Sequence, residues 1–219
     1  TLSSNTSTYG GAICNWSPLV AVPSLTITGS TLTGNYASSQ GGGVWSDGLL
    51  DITGSTFSEN SSTGGAIWNE GMLDITGSNF SENSSSAIWN EGTLDITDST
   101  FSENSSTHAG GAIWNEGTLE VTAGAFSDNT TRWNGGAIAN RWNGTATVNS
   151  TTFSRNWGGY KGGAIDSGDL GYGGALEVSE CVFEENRSES VGGAIMNYAP
   201  ANITNSRFES NSTFRFGGA

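Results

Sequence analysis

Acid–base catalysis needs carboxylates gathered with a cation or a histidine. This chain offers 21 Asp and Glu against 7 Lys and Arg and a single His. His108 and Lys161 lie in unrelated turn insertions, five repeat steps apart or fewer, and no compact acid–base group emerges. The carboxylates instead recur at fixed positions of a repeat. One set is Asp51, Asp74, Asp95, Glu120 and Glu177, a second Glu70, Glu91 and Glu116, a third Glu59, Glu82, Glu103 and Asp128. Carboxylate oxygens suit a hard cation, so calcium could bridge such rows, but their spacing is not that of a calcium loop. A solvated acidic face is the expected state, with no metal, no cofactor and no catalytic residue.

Four other residue sets carry chemistry. Trp45, Trp68, Trp89 and Trp114 share one repeat position, which Cys14, Ala139, Asp166 and Met196 occupy elsewhere. The Asp at that position argues that it points outward. The indoles then form either a stripe for stacking sugars or a partner, or a self-stacked column that stabilises the repeats. Cys14 and Cys181 are about six repeats apart, roughly 29 Å at the spacing of β-strands, too far for a disulfide within one copy. Both are expected to be free, or Cys14 to bridge to another chain. Thr28, Thr53, Thr76, Thr97 and Thr122 form an outward row, but an ice-binding face would want two adjacent Thr rows and the neighbouring row is acidic. Twelve Asn-x-Ser/Thr sequons occur. Seven fall on a repeat Asn expected to be buried, and Asn15 on another. Asn79, Asn143, Asn149 and Asn202 fall on outward rows or in a turn and are the glycosylation candidates.

The elements that position these residues follow from the repeat. Nine times a Phe or Leu is followed three residues later by Asn, from Leu2/Asn5 to Phe208/Asn211, at steps of 21–30 residues. That period is the mark of a solenoid, in which each repeat buries its apolar face on its neighbours. Strict alternation, as in Leu94-Asp95-Ile96-Thr97, points to strands, and no stretch has helical spacing. The expected fold is all-β, a single-chain right-handed parallel β-helix of about eight coils. Its inward columns are the Ile of Ile13, Ile67 and Ile113, the Leu and Ile of Leu73 and Ile75, and the Phe. Asn35, Asn60, Asn83, Asn104, Asn129, Asn156, Asn186 and Asn211 are expected to form an amide ladder, with Asn15, Asn69, Asn90, Asn115, Asn140 and Asn197 as a second inward Asn column. Gly-Gly pairs such as Gly110-Gly111 should supply positive φ at a corner.

Gly-Gly-Ala-Ile in one part of each turn and Phe-x-x-Asn in another resemble the chlamydial polymorphic outer-membrane proteins, over nearly the whole chain. The resemblance implies a β-helical passenger, extracellular and often adhesive. Charge excludes other classes. At −14 the chain repels nucleic acid and anionic lipid. No apolar run is long enough to span a membrane and no signal peptide is visible. Thr1–Asn5 already forms a repeat motif and residues 216–219 stop inside one. The sequence therefore reads as one uncapped domain, 1–219, either a slice of a longer solenoid or a subunit that stacks end to end. The expected role is a rigid, secreted structural rod or fibre, glycosylated, with itself as partner. The alternative is an adhesin that binds a glycan through the Trp column and the insertions at Ser17–Ser24, Trp157–Lys161 and Gly168–Gly174. A polysaccharide-degrading enzyme ranks third.

Overall fold

The computed structural model describes residues 1–18, 21–168 and 174–218. Residues 19–20 of the first insertion and 169–173 of the third lie outside them. All regular structure among the described residues is β-strand. In one coil, Ile67–Asn69, Met72–Thr76 and Asn79–Ser81 form three successive sides. Each side pairs in parallel with its equivalents above and below, giving a Trp sheet of eight strands, a Leu sheet of eight and a Phe sheet of nine. A five-stranded sheet from Ser105–Ser106 to Ser212–Thr213 and a two-stranded one, Thr6–Tyr9 with Tyr36–Gln40, add a short fourth side. Trp157–Gly158 is a regular strand of the five-stranded sheet, paired with Thr130–Thr131, so the insertion expected at Trp157–Lys161 starts as part of the coil.

Register stacks like on like. Ile67 pairs with Ile88, Leu73 with Leu94, and Phe80 with Phe101. The inward residues of all three sheets are fully buried through the middle coils. The six Phe pairs from Phe57 to Phe208 stack with ring centroids 4.7–5.0 Å apart and planes within 12°. One strand spacing is therefore also one aromatic stacking distance, and the core repeats without adjustment.

The coil turns at left-handed residues. Between the Leu and Phe sheets these are Gly54, Gly77, Asp98 and Ala123, with φ of 49–57°. After the Phe sheet they are Glu59, Glu82, Glu103, Asp128, Arg155 and Glu185, with φ of 53–57°. The Gly-Gly corner behaves as its sequence suggests. Gly110, Gly135, Gly162 and Gly192 take positive φ, and a Cβ on the following Gly136 would sit 2.1 Å from the Gly163 carbonyl oxygen. In the shortest coil the pair is replaced by Ser85 and Ser86, both left-handed.

A left-handed residue other than Gly costs about 1 kcal/mol and breaks the strand-to-strand ladder. Asn repairs the Phe corner. Asn83 donates from its backbone N–H and from Nδ2 to Oδ1 of Asn104, at 3.1 and 2.9 Å. Its Nδ2 also donates to the carbonyl of Phe57 in the coil below, at 2.9 Å. The pattern runs from Asn5 to Asn211 without a gap. A second ladder links Asn69, Asn90, Asn115 and Asn140, with Ser46 and Ser167 standing in where Asn is missing. A third, unforeseen from sequence, closes the Leu-to-Phe corner. The backbone N–H of Ser30, Ser55 and Ser78 donates to the hydroxyl of Ser55, Ser78 and Ser99 in turn, each at 3.1 Å. Cys181 occupies this Ser column, buried, its thiol 3.1 Å from the Ser179 carbonyl oxygen.

Asn104→Ala removes an acceptor shared by two donors of Asn83 and the amide's own bond to the Phe80 carbonyl. It is expected to cost about 3–5 kcal/mol by denaturant unfolding, with loss of amide protection centred on Asn83 and Asn129. Glu103→Gln, one residue away and exposed, is expected to stay within about 0.5 kcal/mol of the parent.

Candidate functional site

The outward residues of the Trp sheet form the richest surface. Alternation turns Ile67 inward and Trp68 outward, yet Trp68 is only 8% exposed. Its ring lies across Gly64, where a Cβ would come within 2.2 Å of the indole. Trp68, Trp89 and Trp114 stack on one another with centroids 4.8 and 4.5 Å apart. The middle of the stripe is therefore a packed column rather than a free platform, because the glycine beside it lets the indoles fold down. Trp45 stands at one end, tilted 53° to Tyr9 at 6.0 Å.

A carboxylate two residues on holds two of the three stacked indoles in place. Trp68 Nε1 donates to Glu70 at 2.9 Å and Trp114 Nε1 to Glu116 at 2.7 Å. Aspartate at 47 is one methylene shorter, and Trp45 Nε1 and Asp47 Oδ1 are both buried without a partner.

Beyond Trp114 the column changes character. Ala139 and Asp166 follow it, both fully buried. Asp166 is thus no sign of an exposed position, as its polarity suggested. It is neutralised by Arg141, whose Nη1 lies 2.8 Å from its Oδ2. Arg141 takes the place that Glu116 holds one coil earlier, and Ala139 opens the space its guanidinium enters. The amide of Asn134, oriented by its hydrogen bonds, accepts from Arg141 Nη2 at 2.7 Å and donates to the Trp133 carbonyl at 3.2 Å.

Two hollows flank the column. One, of about 300 Å³, is lined by His108, Ala109, Trp114, Trp133, Asn134, Arg141 and Trp142. The other, of about 440 Å³, is lined by Tyr9, Cys14, Trp16, Gln40 and Trp45. Trp16, Trp133 and Trp142 are 50–55% exposed, unlike the stacked indoles. Sequence reading missed them because Trp133 and Trp142 lie off the repeat positions and Trp16 is a lone indole at the position Glu70 holds in its coil. Their signal was the break itself, where Trp gives way to Ala139 and Glu to Arg141. His108 and Lys161 are brought to one corner, since Ala109, Asn134 and Lys161 bridge in succession, so they are two coils apart and not in unrelated insertions. Lys161 Nζ lies 5.0 and 4.7 Å from the rings of Tyr160 and Tyr198.

The other predicted positions are placed as follows. Asn60, Asn83, Asn104, Asn129, Asn156 and Asn186 are wholly buried in the first ladder. Asn35 is buried and Asn211 half-buried in it. Asn143 and Asn202 are exposed, and Asn79 and Asn149 half-buried. Thr100 Oγ1 donates to Asn79 Oδ1 at 2.7 Å. Cys14 and Cys181 are unbonded to each other, Cys14 exposed and Cys181 buried. Burial, then Asp47, raises the Cys14 thiol, which keeps it protonated and a poor nucleophile.

The acidic rows face solvent in register. Partial burial, then Asp95 and Asp51, raise the Asp74 carboxyl. Burial and Glu120 raise Asp95, and burial, Glu116 and Glu70 raise Glu91. Among the described residues no group of three or more His, Cys, Asp or Glu is arranged to hold a metal. No Lys or Arg precedes Arg132, so like charges go unanswered in the first coils. In the later ones Arg155 forks onto Asp128 at 2.9 and 2.7 Å.

Coils, corners and columns define a parallel β-solenoid. Residues 43–218 match the family described as right handed beta helix region, and the chain belongs to that family. No curated protein and no solved structure matches it.

Two predictions follow from the charges. Carboxyls raised in the folded state bind protons more readily there than in the unfolded chain, so acidification stabilises the fold. The gain is complete below the ordinary values of 3.8 and 4.5. The melting temperature is expected to rise from pH 7 toward pH 4, and Asp74→Asn with Asp95→Asn to raise it at pH 7 and flatten the slope. Arg141→Leu strands a buried carboxylate and is expected to cost about 3–5 kcal/mol, most of it recovered by adding Asp166→Met, the residue found one coil on.

Proposed function

We propose that this protein is a non-enzymatic extracellular structural rod. The observation that carries the reading is that each coil commits the same polar and aromatic side chains to its neighbours. The Asn, Ser, Phe and Trp that recur in the sequence bind the coils above and below. Such a chain is a spacer or fibre element whose length scales with repeat number. The outward surface, acidic and rich in Ser and Thr, suits a soluble secreted setting and carries the exposed sequons Asn143 and Asn202. Self-association along the axis or side by side is the partner this reading implies.

A second reading is adhesion to a glycan-bearing surface. It is favoured by the exposed indoles of Trp16, Trp133 and Trp142 at the two aromatic hollows.

The structural reading is tested on secreted material. A reducing-sugar assay over a panel of plant, fungal and bacterial polysaccharides is expected to give no release above buffer; a single substrate cleaved with saturation kinetics overturns it. Peptide mapping after secretion from a eukaryotic host is expected to find sugar on Asn143 and Asn202. Asn60, Asn83 and Asn104 should carry none, because their amides are hydrogen-bonded inside the coil.

A further inference from the structure

We propose that the hollow between Trp114, Trp133 and Trp142 binds a neutral pyranose of a glycan chain; the proposal rests on the adhesive reading above. The hollow exists because the indole column stops. Ala139 follows Trp114 in register and leaves the space beside its ring unfilled by a further indole. Trp133 and Trp142 stand around that gap at 55% and 50% exposure. Its volume of about 300 Å³ is at the lower end for small-ligand sites and suits one or two sugar rings.

Two of the three indole walls are held before any ligand arrives. Glu116 Oε1 accepts from Trp114 Nε1 at 2.7 Å and from Trp142 Nε1 at 3.1 Å, so one carboxylate fixes two indoles from successive coils. At Trp133 only the backbone is tied, its carbonyl accepting from Asn134, which in turn accepts from Arg141, and the indole stays exposed. Pre-positioned walls lower the ordering cost of binding.

Charge selects the ligand. Arg141 lines the hollow, but Asp166 neutralises it and the Gly168 carbonyl oxygen lies 3.3 Å from its Nη1. A uronate or phosphate would therefore find no free cation there and would meet the field of a chain carrying −14. An organic cation is the other ligand that aromatic walls attract, and the tetramethylammonium probe below tests it. A neutral pyranose lays its C–H face on an indole, where ring electrons are exposed, and turns its hydroxyls to the rim. The exposed imidazole of His108 at that rim can donate to or accept from a hydroxyl.

The test is tryptophan fluorescence and calorimetric titration of the whole chain. The probes are neutral oligomers of glucose, galactose, mannose and N-acetylglucosamine, with galacturonate oligomers and a tetramethylammonium salt as charged probes. At least one neutral oligomer is expected to bind, and Trp133→Ala and Trp142→Ala each to weaken it about tenfold or more. Both residues are exposed, so an unchanged melting temperature verifies their fold. Met72→Ala, exposed on the Leu sheet, is expected to leave binding unchanged. Neutral-oligomer binding that survives both Trp substitutions overturns this site and leaves adhesion standing. Selective binding of galacturonate or tetramethylammonium overturns the ligand class. No binding by any oligomer overturns the site and the adhesive reading together.

Discussion

The structure depends on how a parallel coil turns a corner without leaving backbone groups unpaired. Parallel strands exchange hydrogen bonds only while the chain stays extended. A left-handed residue such as Glu82 swings the chain round and takes the next N–H out of line with the coil above. Asparagine answers this because its side chain has the same donor and acceptor as a peptide. Asn104 Oδ1 receives the N–H and the amide of Asn83, and Asn104 Nδ2 reaches the Phe80 carbonyl. The corner is thereby continued as a column of side-chain amides, buried with none of its polarity unmet.

Everything else is placed by that register. Once corners align, Phe falls on Phe at 4.7–5.0 Å, a spacing that serves both the sheet and the rings. The same alignment puts like charges above one another on the outside. Partial burial, and after it these like-charged neighbours, raise the carboxyls of Asp74, Asp95 and Glu91. Where the repeat relaxes, the surface becomes individual. Ala139, Arg141 and Asp166 replace a Trp–Glu pairing with a buried ion pair, and an open hollow beside Trp114 appears at that coil.

Repeats made much of this legible. A residue type recurring every 21–30 positions identifies its own neighbours, so the Ile, Leu, Phe and Asn columns could be read as contacts before any coordinates. The Ser ladder escaped because a lone Ser before the Phe strand looks like turn composition, and its role depends on a hydroxyl facing the N–H of another coil. Whether the Trp stripe is a free platform or a self-stacked column stayed open for a different reason. Alternation tells which side of the sheet a residue leaves from, but not that Gly64 lets an indole lie flat. Asp166 gave the column's direction but not its exposure, because a charged residue reads as exposed until its partner is found one coil away at Arg141. The exposed indoles Trp133 and Trp142 belong to no column, and a search for columns passes over them.

The most direct test of the central claim is hydrogen exchange of the side-chain amides of Asn60, Asn83, Asn104, Asn129 and Asn156, followed by NMR on isotope-labelled protein. If these amides carry the corners, their Nδ2 protons exchange many orders of magnitude more slowly than that of Asn143 in its exposed turn, and as slowly as the backbone amides of the Phe sheet. Exchange at the rate of Asn143 would mean that the amides are open to water, and that the coils are held by their apolar columns alone.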